Sequence, residues 1–147
     1  MTYLDTSALI KRFVVERGSP LVRSLVTRGP TATGKIAYAE VYAGLKRKNR
    51  EGFLPGRQYD LICRQFEDDW QAYVRVELLD EVLLLARDLI GRHPLRGFDA
   101  IHLASALRLK SALDEPLTFA AADERLLGAA GAEGLAVVNV ETARKAP

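Results

Sequence analysis

An α/β fold, with a parallel central sheet and helices on both faces, is what this sequence predicts from three observations. Short apolar or β-branched segments recur along the chain, at Thr2–Leu4, 31–33, 74–79, 117–120 and 135–140. Longer segments with helical spacing of apolar residues lie between them. Turn formers such as Gly18-Ser19-Pro20 and Gly29-Pro30 punctuate the series. Strands that alternate with helices build a parallel sheet, with right-handed crossovers.

The elements follow in order. After the strand Thr2–Leu4, Asp5-Thr6-Ser7 supplies N-cap chemistry for a helix running to about Val15. Gly18-Ser19-Pro20 breaks the chain and starts a second helix, which stops near Gly29-Pro30. A strand at 31–33 precedes a helix over 35–48, and a longer helix covers 55–73. Residues 74–79 alternate as a strand. Asp80 is expected to cap the helix to about Arg92, which His93-Pro94 ends. Residues 98–110 are helical, with Ile101, Ala104 and Leu107 on one stripe. A strand at 117–120, a helix at 123–130 and a last strand at 135–140 complete the chain.

Length and composition narrow the function classes. The 147 residues fit one domain, 1–147, and 48% hydrophobic with 27% charged residues is ordinary for a globular protein. A chain of this size buries roughly 70% of its unfolded surface and needs no disulfide or structural metal to fold. Cys63 is the single cysteine, so an internal disulfide or a multi-cysteine zinc site is excluded, and a reducing, cytoplasmic setting is expected. The strongest apolar run, Val82-Leu83-Leu84-Leu85-Ala86, falls far short of the roughly 18 residues of a membrane span. The opening Met-Thr-Tyr-Leu-Asp has no basic region and does not read as a secretory signal. A net charge of +2 is close to balance and points only weakly to nucleic acid. The basic residues are nevertheless clustered, at Lys46-Arg47-Lys48 with Arg50, and at Arg87, Arg92 and Arg96.

The acids carry the chemistry. In open parallel sheets a ligand crevice lies beyond the carboxyl ends of the strands, where strand order reverses. Asp5 follows the first strand and Asp123 follows the strand at 117–120, so the two share a crevice if those strands are neighbours. Each also has a plain structural reading as an N-cap, and Asp99 as a first-turn partner of a helix dipole. Glu40 lies mid-helix in line with Ile36, Ala43 and Gly44. It is either the edge of a two-faced helix or a carboxylate brought close to something that needs one.

Four segments resemble the motifs of PIN domains, in the family's order. They are Tyr3-Leu4-Asp5-Thr6-Ser7-Ala8-Leu9-Ile10-Lys11, Ala37-Tyr38-Ala39-Glu40-Val41-Tyr42-Ala43-Gly44-Leu45, Gly97-Phe98-Asp99-Ala100-Ile101-His102-Leu103-Ala104-Ser105-Ala106 and Thr118-Phe119-Ala120-Ala121-Ala122-Asp123-Glu124-Arg125-Leu126. Gly134-Leu135-Ala136-Val137-Val138-Asn139 resembles the family's final strand, and the compact length is similar to VapC-like toxins.

The resemblance implies a three-layer α/β/α domain with sheet order 3-2-1-4-5. It also implies metal-binding and catalytic roles for Asp5, Glu40, Asp99 and Asp123, a toxin ribonuclease cutting RNA, a VapB-like antitoxin partner and a homodimer. An all-oxygen donor set suits Mg²⁺ or Mn²⁺ rather than zinc. Asp5 and Asp99 are expected as principal ligands, with Glu40 and Asp123 acting directly, through water or on a second ion. Lys11, Arg12, Lys46 and Arg47 are candidate RNA contacts, each also readable as a solvated helix face. His102, three positions after Asp99, reads more readily as a packed or hydrogen-bonded structural residue than as a catalyst. Trp70 and Tyr73 read as helix-packing or interface residues rather than as base-stacking ones. Two departures weaken hydrogen-bond support for the site: Ala121 and Gly34 stand where the family often carries hydroxyls. The alternatives are a receiver-like Mg²⁺-binding signalling domain and an inactive PIN scaffold that binds a partner.

Overall fold

The computed structural model describes residues 1–142, and the last five positions of the expected domain lie outside the described residues. The chain runs β1 (Thr2–Leu4), α1 (Thr6–Ile10), α2 (Ser19–Arg28), β2 (Thr31–Gly34), α3 (Ala37–Arg50), α4 (Gly56–Ala72), β3 (Val74–Val76), α5 (Asp80–Arg92), α6 (Gly97–Ala112), β4 (Thr118–Ala121), α7 (Glu124–Ala132) and β5 (Ala136–Asn139).

All five strands pair in parallel, in the order β3-β2-β1-β4-β5. That order differs from the 2-1-3-4-5 arrangement of receiver-like folds and removes the receiver alternative. Side chains alternate across a strand, and each face of the sheet therefore acquires its own core. Tyr3, Phe119 and Ala121 point to one face and pack with Val82, Ala86 and Leu89 of α5, Leu103 of α6 and Leu126 of α7. Leu4 and Ala120 point to the other and pack with Leu9, Val22, Val41, Phe66 and Trp70 from α1 to α4. The result is a three-layer α/β/α sandwich. Trp70 and Tyr73 are buried in the second core, as packing residues. Among the described residues no helix is long and apolar enough to cross a membrane.

Three expectations change. The first helix ends at Ile10 rather than Val15, because Lys11, Arg12 and Phe13 donate to carbonyls three residues back and tighten the chain into turns. Those turns still deliver Phe13 and Val14 to the core. The third strand stops at Val76 instead of residue 79. Its neighbour β2 ends at Gly34, paired with Val76, and no backbone remains to continue the ladder. Asp80 is the first residue of α5, while Leu79 occupies the cap position without a side-chain cap bond. The other limits shift by one or two residues, as strand and helix ends do.

Gly18 sets the turn into α2. Its φ of 89° lies in the left-handed region, and a Cβ there would stand 2.7 Å from the Val140 carbonyl oxygen. Gly52 has a similar φ of 85° but open space around it. The two positions separate conformation from crowding. Gly52→Ala should cost about 1–2 kcal/mol, the left-handed penalty alone. Gly18→Ala should cost clearly more, measured by urea unfolding of both variants; equal losses would show that the Val140 contact relaxes freely.

Candidate active site

The crevice forms where the chain, having laid β2 and β3 to one side of β1, places β4 on the other. Leu4 pairs with Ala120 in register, and the Asp5 N–H bonds the Ala120 carbonyl at 3.2 Å. Asp5 and Asp123 therefore leave neighbouring strands at the same end of the sheet. Asp99 enters from the first turn of α6, and Glu40 from the first turn of α3 rather than from mid-helix, because α3 begins at Ala37, two residues later than expected.

Two of the acids also cap helices. Asp5 accepts from the Ala8 N–H (2.9 Å) and from Ser7 Oγ, and it is only 4% exposed. Asp123 Oδ1 accepts from the N–H groups of Arg125 (2.8 Å) and Leu126 (3.1 Å). Capping and crevice placement coexist, because the lone pairs left by a cap remain at the strand's end. Asp99 and Asp123 line one opening with Arg96, Glu124 and Arg125. Glu40 and Asp99 line an adjoining one with Arg96 and the exposed Phe98.

Electrostatics tie the acids together. Burial pushes the Asp5 carboxyl up to about 6; the field of His102, the Ala8 N–H and Ser7 oppose it, and Asp99 adds to it. Asp99 is raised by burial and then by Asp123, with a further contribution from Glu40, against His102 and Arg96. Asp99 is thus the acid linked to the other three, raised by Asp123 and Glu40 and itself raising Asp5. Glu40 differs: burial pushes it up, but hydrogen bonds from His102 and Thr6 bring it below the usual range.

Glu40 Oε1 accepts from Thr6 Oγ1 at 2.6 Å and lies 2.8 Å from His102 Nε2. His102 Nδ1 lies 2.9 Å from the Tyr3 hydroxyl. His102 is buried and bonded on both nitrogens. In the sequence Thr6 reads first as N-cap chemistry and Arg96 as part of a basic cluster, while Tyr3 and Arg125 are not legible as site residues. Arg96 and Arg125 had one available signal, standing three before Asp99 and two after Asp123. Gly34 also acquires a reason. A Cβ there would meet the Tyr3 hydroxyl at 2.9 Å, so a hydroxyl from a different residue fills the space left by this departure from the family pattern.

The basic candidates lie elsewhere. Lys11 is buried, and its Nζ is shared between Glu141 (2.8 Å) and Glu16 (3.1 Å), which leaves it no face for an RNA phosphate. Arg12 pairs with Asp69 at 3.1 Å. Lys46 bonds Asn49 and lies over the Tyr59 ring, and Arg47 is exposed on α3. None of the four lines the acidic openings.

The donor chemistry fits a hard divalent cation. Carboxylates raised by burial and by one another carry negative charge that a cation would neutralise. Among the described residues no three His, Cys, Asp or Glu side chains form a ready cage for a metal. Mg²⁺ does not require one, since it keeps several waters and takes one or two carboxylates plus substrate phosphates.

A family model described as PIN domain matches residues 2–131. Ribonuclease VapC45 and Ribonuclease VapC49 of Mycobacterium tuberculosis are each 38% identical to this chain over 142 residues, covering 96% of this chain and 96% of theirs. Two solved structures share the fold. FitAcB from Neisseria gonorrhoeae matches with TM-score 0.67 at 16% identity, over 97% of this chain and 100% of its own. A chain of a toxin–antitoxin complex from Klebsiella pneumoniae matches with TM-score 0.66 at 20% identity, over 95% and 98%. At those identities the structures speak for the fold, and the mycobacterial relatives for the branch. Likeness of that extent means that the chain belongs to the PIN-domain family, among the VapC-type ribonucleases.

Proposed function

We propose that this VapC-type ribonuclease is a Mg²⁺- or Mn²⁺-dependent endonuclease. It hydrolyses RNA phosphodiesters at Asp5, Glu40, Asp99 and Asp123, and it acts as the toxin of a pair held in check by a VapB-like antitoxin. The observation that carries the reading is the meeting of acids at the sheet's switch point, where Asp99 shares one opening with Asp123 and the adjoining one with Glu40 and adds to the burial that raises Asp5, with Arg96 and Arg125 on the rim. When bound, the cation supplies Lewis-acid polarisation of the scissile phosphate and a lowered pKa for water. Asp5 and Asp99 are its principal holders, with Glu40 and Asp123 completing the shell directly or through water. Arg96 and Arg125 present guanidinium groups to the phosphates that flank the cut, which draws a polyanion toward an otherwise acidic opening.

The setting is proposed as cytoplasmic, and the molecule as a homodimer. Leu79, Leu83 and Ile90 share one exposed face of α5, and a second copy is the proposed cover. A monomer in sedimentation equilibrium would remove the dimer from the proposal.

Asp5→Asn separates the two duties of that residue, because asparagine caps a helix about as well as aspartate but carries no charge. Asp5→Asn and Asp99→Asn should each lower Mn²⁺-dependent cleavage of total RNA by roughly 100-fold or more, since even supporting residues of a metal site are worth 10–100-fold. Circular dichroism should be unchanged. Full activity in either purified variant would sink the assignment, and an inert wild type that still binds a partner would favour the inactive scaffold.

In EDTA the same substitution has a pH signature. Asp5 holds its proton to about 6 in the folded chain against 3.8 for the free carboxyl. Between those values the native state binds a proton that the unfolded state has lost, so the contribution of Asp5 to stability falls as pH rises. The full shift is worth about 3 kcal/mol at 1.36 kcal/mol per unit. Asp5→Asn should therefore gain stability on wild type between pH 4 and 6.5 and keep that gain at pH 7. Parallel urea-unfolding curves across that range would contradict it.

Expressed alone in a bacterial host, the wild type should arrest growth, and a small cognate antitoxin should relieve the arrest. Normal growth at high soluble expression, with intact RNA, would count against the toxin role.

A further inference from the structure

Among the described residues Glu40 is the acid of the crevice whose carboxyl is tethered to side chains of two other elements. Its Oε1 receives Thr6 Oγ1 at 2.6 Å from α1 and faces His102 Nε2 at 2.8 Å from α6. Thr6 and His102 are themselves 3.0 Å apart. Tyr3, fully buried on β1, places its hydroxyl 2.9 Å from the other ring nitrogen, Nδ1.

The hydrogens in this chain can be assigned by elimination. Thr6 has one hydroxyl hydrogen, and the carboxylate takes it at the shorter distance. Toward His102, Thr6 is then an acceptor, as Glu40 is. Nε2 must carry a hydrogen to satisfy both, and in the neutral ring Nδ1 then accepts from the Tyr3 hydroxyl. Four side chains from four elements then form one directed series, with every donor facing an acceptor. Among the described residues no buried side-chain polar atom lacks a partner, so the series is closed. Gly34 belongs to it negatively, because a Cβ at that position would meet the Tyr3 hydroxyl at 2.9 Å and the Ser105 hydroxyl at 3.3 Å.

We propose that His102, oriented by Tyr3, is a positioning residue that clamps Glu40 through Oε1 and presents its second oxygen, Oε2, to the crevice shared with Asp99. The inference rests on the ribonuclease reading above and adds to it a supporting pair outside the four acids. Such support costs little to keep ordered, since Tyr3 and His102 sit in the core, with the Tyr3 ring stacked on Phe119 at 5.4 Å between centroids. A carboxylate held on one oxygen cannot rotate both toward the ion, so its geometry is set before substrate arrives.

Three variants test the pair. Tyr3→Phe removes only the hydroxyl that orients the ring. His102→Gln keeps an amide donor near the Nε2 position, and His102→Leu keeps none. Three readouts apply: the Mn²⁺ dissociation constant by calorimetry, kcat and KM on a defined RNA, and the ¹⁵N shifts of the His102 ring. In wild type the shifts should show a hydrogen on Nε2 and a bare Nδ1. Tyr3→Phe and His102→Leu should weaken Mn²⁺ binding or lower kcat by roughly 10–100-fold, with KM changed much less. His102→Gln should recover most of the loss. Should His102→Leu fail to fold, Tyr3→Phe and His102→Gln still decide the matter. Folded Tyr3→Phe and His102→Gln proteins with wild-type Mn²⁺ affinity and kcat would overturn the proposal, as would a wild-type ring with its hydrogen on Nδ1. Wild type that neither binds Mn²⁺ nor cleaves RNA would instead overturn the ribonuclease reading on which it rests.

Discussion

The pairing of β1 with β4 is the contact on which the rest depends. β1 is three residues long and bonded on both sides, to β2 through Thr2 and Tyr3 and to β4 through all three residues. A strand so short and so central has no freedom of register, because a one-residue slip would send Tyr3 and Leu4 to the wrong cores. Correct register on β4 pairs Leu4 with Ala120 and bonds the Asp5 N–H to the Ala120 carbonyl, three residues before Asp123. Site geometry and core geometry are therefore one constraint.

That constraint concentrates like charges, and the chain manages them in two ways. Asp5 and Asp123 are held by backbone N–H groups at helix starts, where the dipole favours an anion. Glu40 is held instead by the side chains of Thr6 and His102, reached across 34 and 62 residues of sequence. Asp99 has neither kind of support among its contributions and stays raised by burial and by its neighbours. The acid with least intrinsic stabilisation sits at the centre, where a cation would compensate it most. Folding tolerates the strain because the two cores on either side of the sheet are extensive and closed.

Basic residues divide by placement along the same lines. Lys11, Lys48, Glu16 and Glu141 form an ion-pair group that ties the turns after α1 to α3 and to the chain beyond β5. Arg96 and Arg125, both exposed, stand instead on the rim of the acidic opening. A small net positive charge is thus compatible with a strongly uneven surface, and local placement matters more than the global balance.

The sequence by itself determined the layer order, the strand count and which acids lie at strand ends. These follow from periodicity, punctuation by glycine and proline, and the position of Asp5 and Asp123 relative to β1 and β4, all of them local signals. Small errors fell where a local pattern outlasted its partner: 74–79 alternates throughout, yet β3 ends with its neighbour at Val76. The same limit applied to the basic candidates, since nothing near Lys11 in sequence reveals that Glu141 reaches it. Only tertiary structure decided how Glu40 is held, why Gly34 is small and where the arginines stand. Those depend on side chains from separate elements meeting at hydrogen-bond distance, as Tyr3, His102 and Glu40 do. Such a meeting is set by how α3 and α6 dock on opposite faces of β1, and no spacing along the chain encodes it.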